Sequence, residues 1–197
     1  MVGRLSVRVL LVDDDPLVRR FVSRRLVAAG YVVRVAVDGL EALAKLRAGL
    51  PDLIISDLTM PRMAGLEFLR VVRLRFPQIP VIIMSGLTVD QVSREAVADA
   101  YYHKDGFGFE KLLETISDLA GRLPLRRALP PMEYKPVPAK WDGDGHYRLE
   151  CPDCMRVTTI PHSPRLSRGE HIATCIHCCG VIKVRIDEED SSEGAPA

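Results

Sequence analysis

The sequence predicts a doubly wound α/β domain, a five-stranded parallel sheet with helices on both faces, followed by a small β-rich unit. Three observations carry this. Residues 5–119 alternate short β-branched runs with amphipathic stretches. Three of those runs are apolar with almost no alternation, the pattern of strands buried on both faces of a parallel sheet. All five cysteines cluster near the C-terminus, from Cys151 to Cys179.

The strand runs are Val7–Val12, Val32–Ala36, Leu53–Ser56, Val81–Met84 and Ala100–His103. Between them lie the helices. Pro16–Ala29 sets Val18, Val22 and Leu26 on one face with Phe21 alongside, and leaves Arg19, Arg20, Arg24 and Arg25 for solvent. Leu40–Leu46 and Leu66–Leu74 repeat the spacing, and Glu110–Leu119 carries Leu112, Leu113, Ile116 and Leu119. Val89–Ala98 is a shorter, weaker helix pattern. Five β/α repeats imply right-handed crossovers and a doubly wound sheet.

Composition sets outer bounds. The chain has 197 residues, 47% hydrophobic and 27% charged, which fits one ordinary domain and a smaller one. Its 27 basic and 26 acidic residues nearly cancel, so no global charge argues for nucleic acid or membrane binding. No apolar run is long enough to span a bilayer, so no transmembrane helix is expected. The N-terminal apolar stretch runs straight into Asp13-Asp14-Asp15 and does not resemble a signal peptide, so a cytoplasmic location is expected.

The expected division is a first domain over 1–120, a linker over 121–145, a cysteine-containing domain over 146–186 and an acidic disordered tail over 187–197. The linker holds five prolines and no periodicity. Residues 122–185 carry 11 Lys/Arg against 6 Asp/Glu.

In an open parallel sheet, ligands bind at the carboxyl ends of the strands where strand order reverses. Strand one ends in Asp13, Asp14 and Asp15, strand three at Asp57, strand four at Ser85, and strand five at Lys104. Gathered carboxylates repel one another, and a hard divalent cation such as magnesium relieves that repulsion while keeping waters to exchange for a phosphate. Lysine and serine suit phosphoryl oxygens, and phosphoryl transfer needs in-line positioning and charge neutralisation above all. Taken singly, Asp13 and Asp14 also suit a helix N-cap, and Asp57 a turn.

The segments VLLVDDDP, DLIISDLTMPRMAG, IPVIIMSG and YYHK, in that order and spacing, resemble the receiver domain of two-component response regulators, including the chemotaxis regulators. The resemblance covers about residues 5–120 and implies a flavodoxin-like fold. It implies that a sensor histidine kinase donates a phosphoryl group to Asp57. It further implies magnesium held by Asp13, Asp14, Asp57 and the Thr59 carbonyl. Ser85 and Lys104 would meet the phosphoryl oxygens, and Tyr101 is the aromatic switch that follows Ser85 inward. Three features depart from the family. Asp105 stands where a proline is usual, and Ala64 where aspartate is common. The stretch from Ser85 to Lys104 is short for the family, which implies a truncated fourth helix.

Cys151-Pro-Asp-Cys154 and Cys175-Ile-His-Cys178 are two well-separated CxxC pairs. Each suits a tight turn offering two thiolates, and together they supply the four ligands of a closed tetrahedral zinc site. With strand-like runs at Tyr147–Leu149, Val157–Ile160, His171–Ala173 and Val181–Ile186, the segment resembles a zinc ribbon. A unit of about 40 residues does not easily form a stable core unaided, so such a metal would contribute directly to its folding. Iron is the other ion this ligand set admits, and a pair of redox dithiols is the competing reading. Cys179 reads first as buried filler, ahead of an alternative ligand or a reactive thiol, His162 and His171 as surface residues rather than ligands, and His177 as contributing mainly its backbone.

The expected whole is a response regulator with no enzymatic output, since residues 121–197 show no nucleophile–base arrangement. Its ribbon would relay the signal to an unidentified protein partner. The alternatives are nucleic-acid binding through Arg148, Arg156, Arg165, Arg168, Lys183 and Arg185, which is not favoured because one aromatic makes a poor stacking platform, and a scaffold whose receiver is never phosphorylated.

Overall fold

The computed structural model describes residues 6–86, 98–104, 108–121, 135–163, 166 and 168–187. The chain forms two compact units, Met1–Ala128 and Leu129–Ala197.

In the first unit the element order is β1 (Arg8–Val12), α1 (Pro16–Ala28), β2 (Val32–Ala36), α2 (Gly39–Ala48), β3 (Leu53–Ser56), α3 (Gly65–Arg75), β4 (Val81–Ser85), β5 (Ala100–His103) and α4 (Phe109–Gly121). The strands form one parallel sheet in the order β2-β1-β3-β4-β5. Strand order therefore reverses between β1 and β3, which opens a crevice above their carboxyl ends.

The central runs are apolar because they are covered on both sides: every residue of β3 and β4 is buried. On one face Val9, Leu11, Ile55, Ile82 and Met84 pack with Val22 and Leu26 of α1 and with Phe109, Leu112 and Ile116 of α4. The alternating residues Leu10, Ile54 and Ile83 point the other way. Asp15 caps α1, accepting from the Leu17 and Val18 N–H groups, and Pro16 supplies the first helical position. Since Asp15 does the capping, Asp13 and Asp14 are not occupied as caps. The Val89–Ala98 helix and Asp105 fall largely or wholly outside the described residues, as does the tail beyond 187.

The second unit contains two three-stranded sheets. One runs β10 (Gly169–Thr174), β11 (Val181–Ile186), β6 (Val137–Pro138); the other runs β7 (Lys140–Trp141), β8 (His146–Glu150), β9 (Val157–Pro161). HYRLE and VIKVRI alternate exposed and buried along β8 and β11, so each strand turns one apolar row inward. The expected linker over 121–145 is corrected here: its last part belongs to these sheets. Val137 and Pro138 pair in parallel with Val184 and Arg185, the Ala139 N–H donates to the Arg185 carbonyl at 2.9 Å, and Trp141 lies across from Tyr147. Proline tolerates β6 because an edge strand needs no second ladder donor.

No helix among the described residues is long and apolar enough to cross a membrane.

Candidate functional site

The carboxyl ends of β1 and β3 bring Asp13 and Asp57 together, as the Asp57 N–H donates to the Val12 carbonyl at 2.8 Å. Asp13 is fully buried, Asp57 is buried and Asp14 is exposed, and an oxygen of each lies within 4.8 Å of the others. Local backbone donors fix two of them. Asp13 Oδ1 accepts from the Asp15 N–H at 2.9 Å, and Asp57 Oδ1 from the Leu58 N–H at 2.6 Å. Lys104, at the end of β5, reaches across the crevice and places its Nζ 2.7 Å from Asp13 Oδ2 and 2.7 Å from Asp57 Oδ2.

Burial pushes the Asp13 carboxyl above the usual carboxylate range, against the pull of Lys104, and the Asp57 charge pushes the same way. Burial would lower Lys104, but its hydrogen bonds and attraction to Asp13 and Asp57 hold it above its ordinary value. A cluster of three acids, one of them fully buried and raised, calls for more positive charge than one ammonium supplies. An all-oxygen donor set at this spacing fits a hard divalent ion such as magnesium.

The other expected residues lie around this pocket. Ser85 is buried at the end of β4, and its carbonyl accepts the Lys104 N–H at 2.9 Å, so hydroxyl and ammonium come from adjoining strand ends. Thr59 is exposed in the loop after Asp57. Tyr101 lies in register with Ile83 and is 38% exposed, while its neighbours Ala100 and Tyr102 turn to the opposite, apolar face.

Gly65 escaped the sequence reading. Its N–H donates to the Leu58 carbonyl at 2.8 Å, and a Cβ there would overlap the Asp57 carbonyl oxygen and stand 2.8 Å from Leu58 Cα. Only glycine lets α3 begin against the backbone that follows the acceptor position. Gly65→Ala is expected to lower the stability of this unit by about 1–3 kcal/mol, read as a lower urea midpoint.

In the second unit Cys151, Cys154, Cys175 and Cys178 are buried, unbridged and mutually within 4.8 Å. Cys151 Sγ is 3.8 Å from Cys178 Sγ, and Cys154 Sγ is 3.7 Å from Cys175 Sγ. Sulfurs bound at about 2.3 Å around one tetrahedral ion stand about 3.8 Å apart, so the cluster is already spaced for zinc.

The two CxxC turns are built alike. The first cysteine of each accepts at Sγ from the N–H two residues on, Asp153 and His177, both at 3.4 Å. Its carbonyl accepts from the residue after the second cysteine, Met155 at 2.8 Å and Cys179 at 2.9 Å. Those two residues have positive φ, 58° and 55°.

Cys154, raised by its contacts with Cys151 and Cys178 and by burial, lies far above the ordinary thiol range. Cys151, lowered by Cys154 but raised more by Cys178 and burial, is pushed up to about 12. Cys178, which Cys151 and Cys154 stabilise as the thiolate, is lowered.

Two expectations are corrected and a third, for His177, is added to. Cys179 is exposed rather than buried filler, because it forms the left-handed corner of its turn. His162 is half-buried against Trp141 and Tyr147, with ring centroids 5.5 and 6.1 Å away, and His171 is half-buried too. The His177 ring also takes part, its Nε2 lying 2.9 Å from the Val157 carbonyl.

Residues 9–116 match the family model of the response regulator receiver domain. The chain is 38% identical over 126 residues to Response regulator MprA of Mycobacterium ulcerans (strain Agy99), a match covering 61% of this chain and 53% of that protein. The chain thus spans about half the length of the curated relatives it matches. Among solved structures it is similar to the response regulator TrrA of Thermotoga maritima in complex with Mg(2+)-BeF, at 32% identity and a TM-score of 0.54, covering 57% of this chain and 98% of that one. It is similar also to the chemotaxis response regulator CheY4 of Vibrio cholerae, at 37% identity and a TM-score of 0.54, covering 58% and 99%.

Proposed function

Because the chain belongs to the response regulator receiver domain family, we propose that Asp57 accepts a phosphoryl group from the phosphohistidine of a sensor histidine kinase. A bond forms between an Asp57 carboxylate oxygen and phosphorus as the bond from phosphorus to the histidine nitrogen breaks. Asp13, Asp14, Asp57 and the Thr59 carbonyl would hold magnesium, which neutralises charge on the phosphoryl oxygens when bound. Lys104 leaves its bridge between the carboxylates to pair with a phosphoryl oxygen, and the Ser85 hydroxyl donates to another. Tyr101 then moves with Ser85, a local charge event biasing a two-state surface. The observation that carries this reading is the Lys104 ammonium 2.7 Å from both buried carboxylates. The test is incubation with magnesium and radiolabelled acetyl phosphate. The expected label is an acyl phosphate removed by hydroxylamine and absent from Asp57→Asn; a label that survives in Asp57→Asn contradicts it.

For the second unit the reading is a zinc ribbon that relays the signal, in the cytoplasm, to a protein partner. Its support is the cluster's spacing together with the exposed apolar side chains at the two turns. Met155, Val157 and Ile176 are 40%, 51% and 66% exposed. Ile176 and His177 are hydrogen-bonded to Thr158 and Val157, so one turn sits beside the strand that leaves the other. A second reading, nucleic-acid binding, has one observation in its favour: Lys140 lies directly across from Arg148, like charges side by side on an exposed row. It predicts binding to random duplex DNA that falls steeply with salt; no binding at low salt discards it.

A further inference from the structure

Arg62 stands five residues after Asp57 and has φ 60°, a left-handed conformation that a long side chain adopts only at a cost and glycine adopts freely. Something must hold it there, and Asp38 is a group that does. That carboxylate is fully buried and caps α2, its Oδ1 accepting from the Glu41 N–H at 2.9 Å while Oδ2 pairs with the Arg62 guanidinium. The next residues are joined as well. The Gly39 N–H donates to the Met63 carbonyl at 3.2 Å, and Met63, 1% exposed, lies so close over Gly39 that a Cβ there would meet its sulfur at 2.8 Å. The turn before α2 is therefore the wall against which the loop from Asp57 to Gly65 is set, and the ion pair is its charged fastening.

We infer that Arg62 is a positioning residue: paired with Asp38, it fixes the β3–α3 loop, and through that loop the affinity of the acidic pocket for magnesium. The inference rests on the reading of Asp57 as phosphoacceptor and names a device that regulates that site. A merely structural Arg62 makes a different prediction, because glycine at a left-handed position relieves strain. If packing alone were served, Arg62→Gly would fold at least as stably and change nothing else.

The test uses the full chain, with Arg62→Gly, Arg62→Asn (asparagine also tolerates this conformation) and Arg62→Lys. Magnesium binding to the unphosphorylated protein is measured by isothermal titration calorimetry, beside the urea midpoint and labelling by acetyl phosphate. Glycine and asparagine are expected to lower the midpoint, because Asp38 is left buried without its guanidinium, and to weaken magnesium binding of the folded protein about tenfold, the low end of what losing an outer-shell partner costs a metal site. Lysine restores most of it. Adding Asp38→Asn to Arg62→Gly weakens magnesium binding no further, because the two act as a pair. Wild-type magnesium affinity in both the glycine and asparagine variants overturns the inference while leaving Asp57 as acceptor intact. Failure of the parent chain to label on Asp57, with magnesium still bound and the variants still weakened, overturns the acceptor reading instead.

Discussion

On the proposed zinc reading of the four-cysteine cluster, a strong chelator is expected to unfold the second unit and leave the first folded. The inward side of the second unit's sheets is small: Tyr147 and Leu149 from β8, and Ile182, Val184 and Ile186 from β11, are its large buried residues on those strands. A core of that size is marginal unaided. Structural zinc in comparable small units contributes about 10–16 kcal/mol of folding free energy, more than the whole stability of a typical domain. The chain supplies its own reporter. Its single tryptophan, Trp141, packs edge-on against Tyr147 at 5.2 Å in this unit, whereas all described helices lie in the other. Chelation should therefore shift Trp141 emission to that of an exposed indole while the helical circular dichroism persists. Cys178→Ser should do the same without chelator. Unchanged emission in protein shown to be metal-free contradicts this account of the unit.

The second large effect is expected at Lys104. Lys104→Ala leaves the Asp13 and Asp57 carboxylates facing one another without the ammonium that bridges them. Losing one preorganised charge from a phosphoryl-transfer site costs on the order of 100- to 1,000-fold in rate, read here as the initial rate of acetyl phosphate labelling. Stability should become pH-dependent in a definite sense. Asp13 is raised in the folded protein even with Lys104 present, so its protonation favours folding. Its contribution is full below the unfolded carboxylate value and is lost as pH rises through the folded one. Without Lys104 that folded value moves higher still. Urea midpoints should show the variant's deficit growing as pH rises, with magnesium restoring part of it. A deficit that grows on acidification contradicts the assignment.

The parallel sheet was legible because its central strands are short, continuous apolar runs; Leu53–Ser56 and Val81–Met84 can hardly be anything else between amphipathic stretches. The pocket was legible for a related reason, since strand ends fix where Asp13, Asp57 and Lys104 must meet. What could not be read depends on contacts between distant segments. The two-residue strands at Val137–Pro138 and Lys140–Trp141 exist only because β11 and β8 lie beside them, and the prolines in and before them read as linker. Gly65 looks like any loop glycine until the Asp57 carbonyl is seen against it. Arg62 has no local signal at all, because both its left-handed backbone and its pairing with Asp38 belong to the assembled loop. Cysteine spacing announced the four-sulfur cluster, yet that spacing could not tell that Cys179, next in the chain, turns outward.

The most direct measurement is a native intact-mass spectrum of the full chain after incubation with magnesium and acetyl phosphate, beside an Asp57→Asn control. One zinc is expected on both proteins, with one added phosphoryl group on the parent and none on the control. No phosphoryl group on the parent, or the same addition on Asp57→Asn, would contradict the assignment of Asp57 as the acceptor.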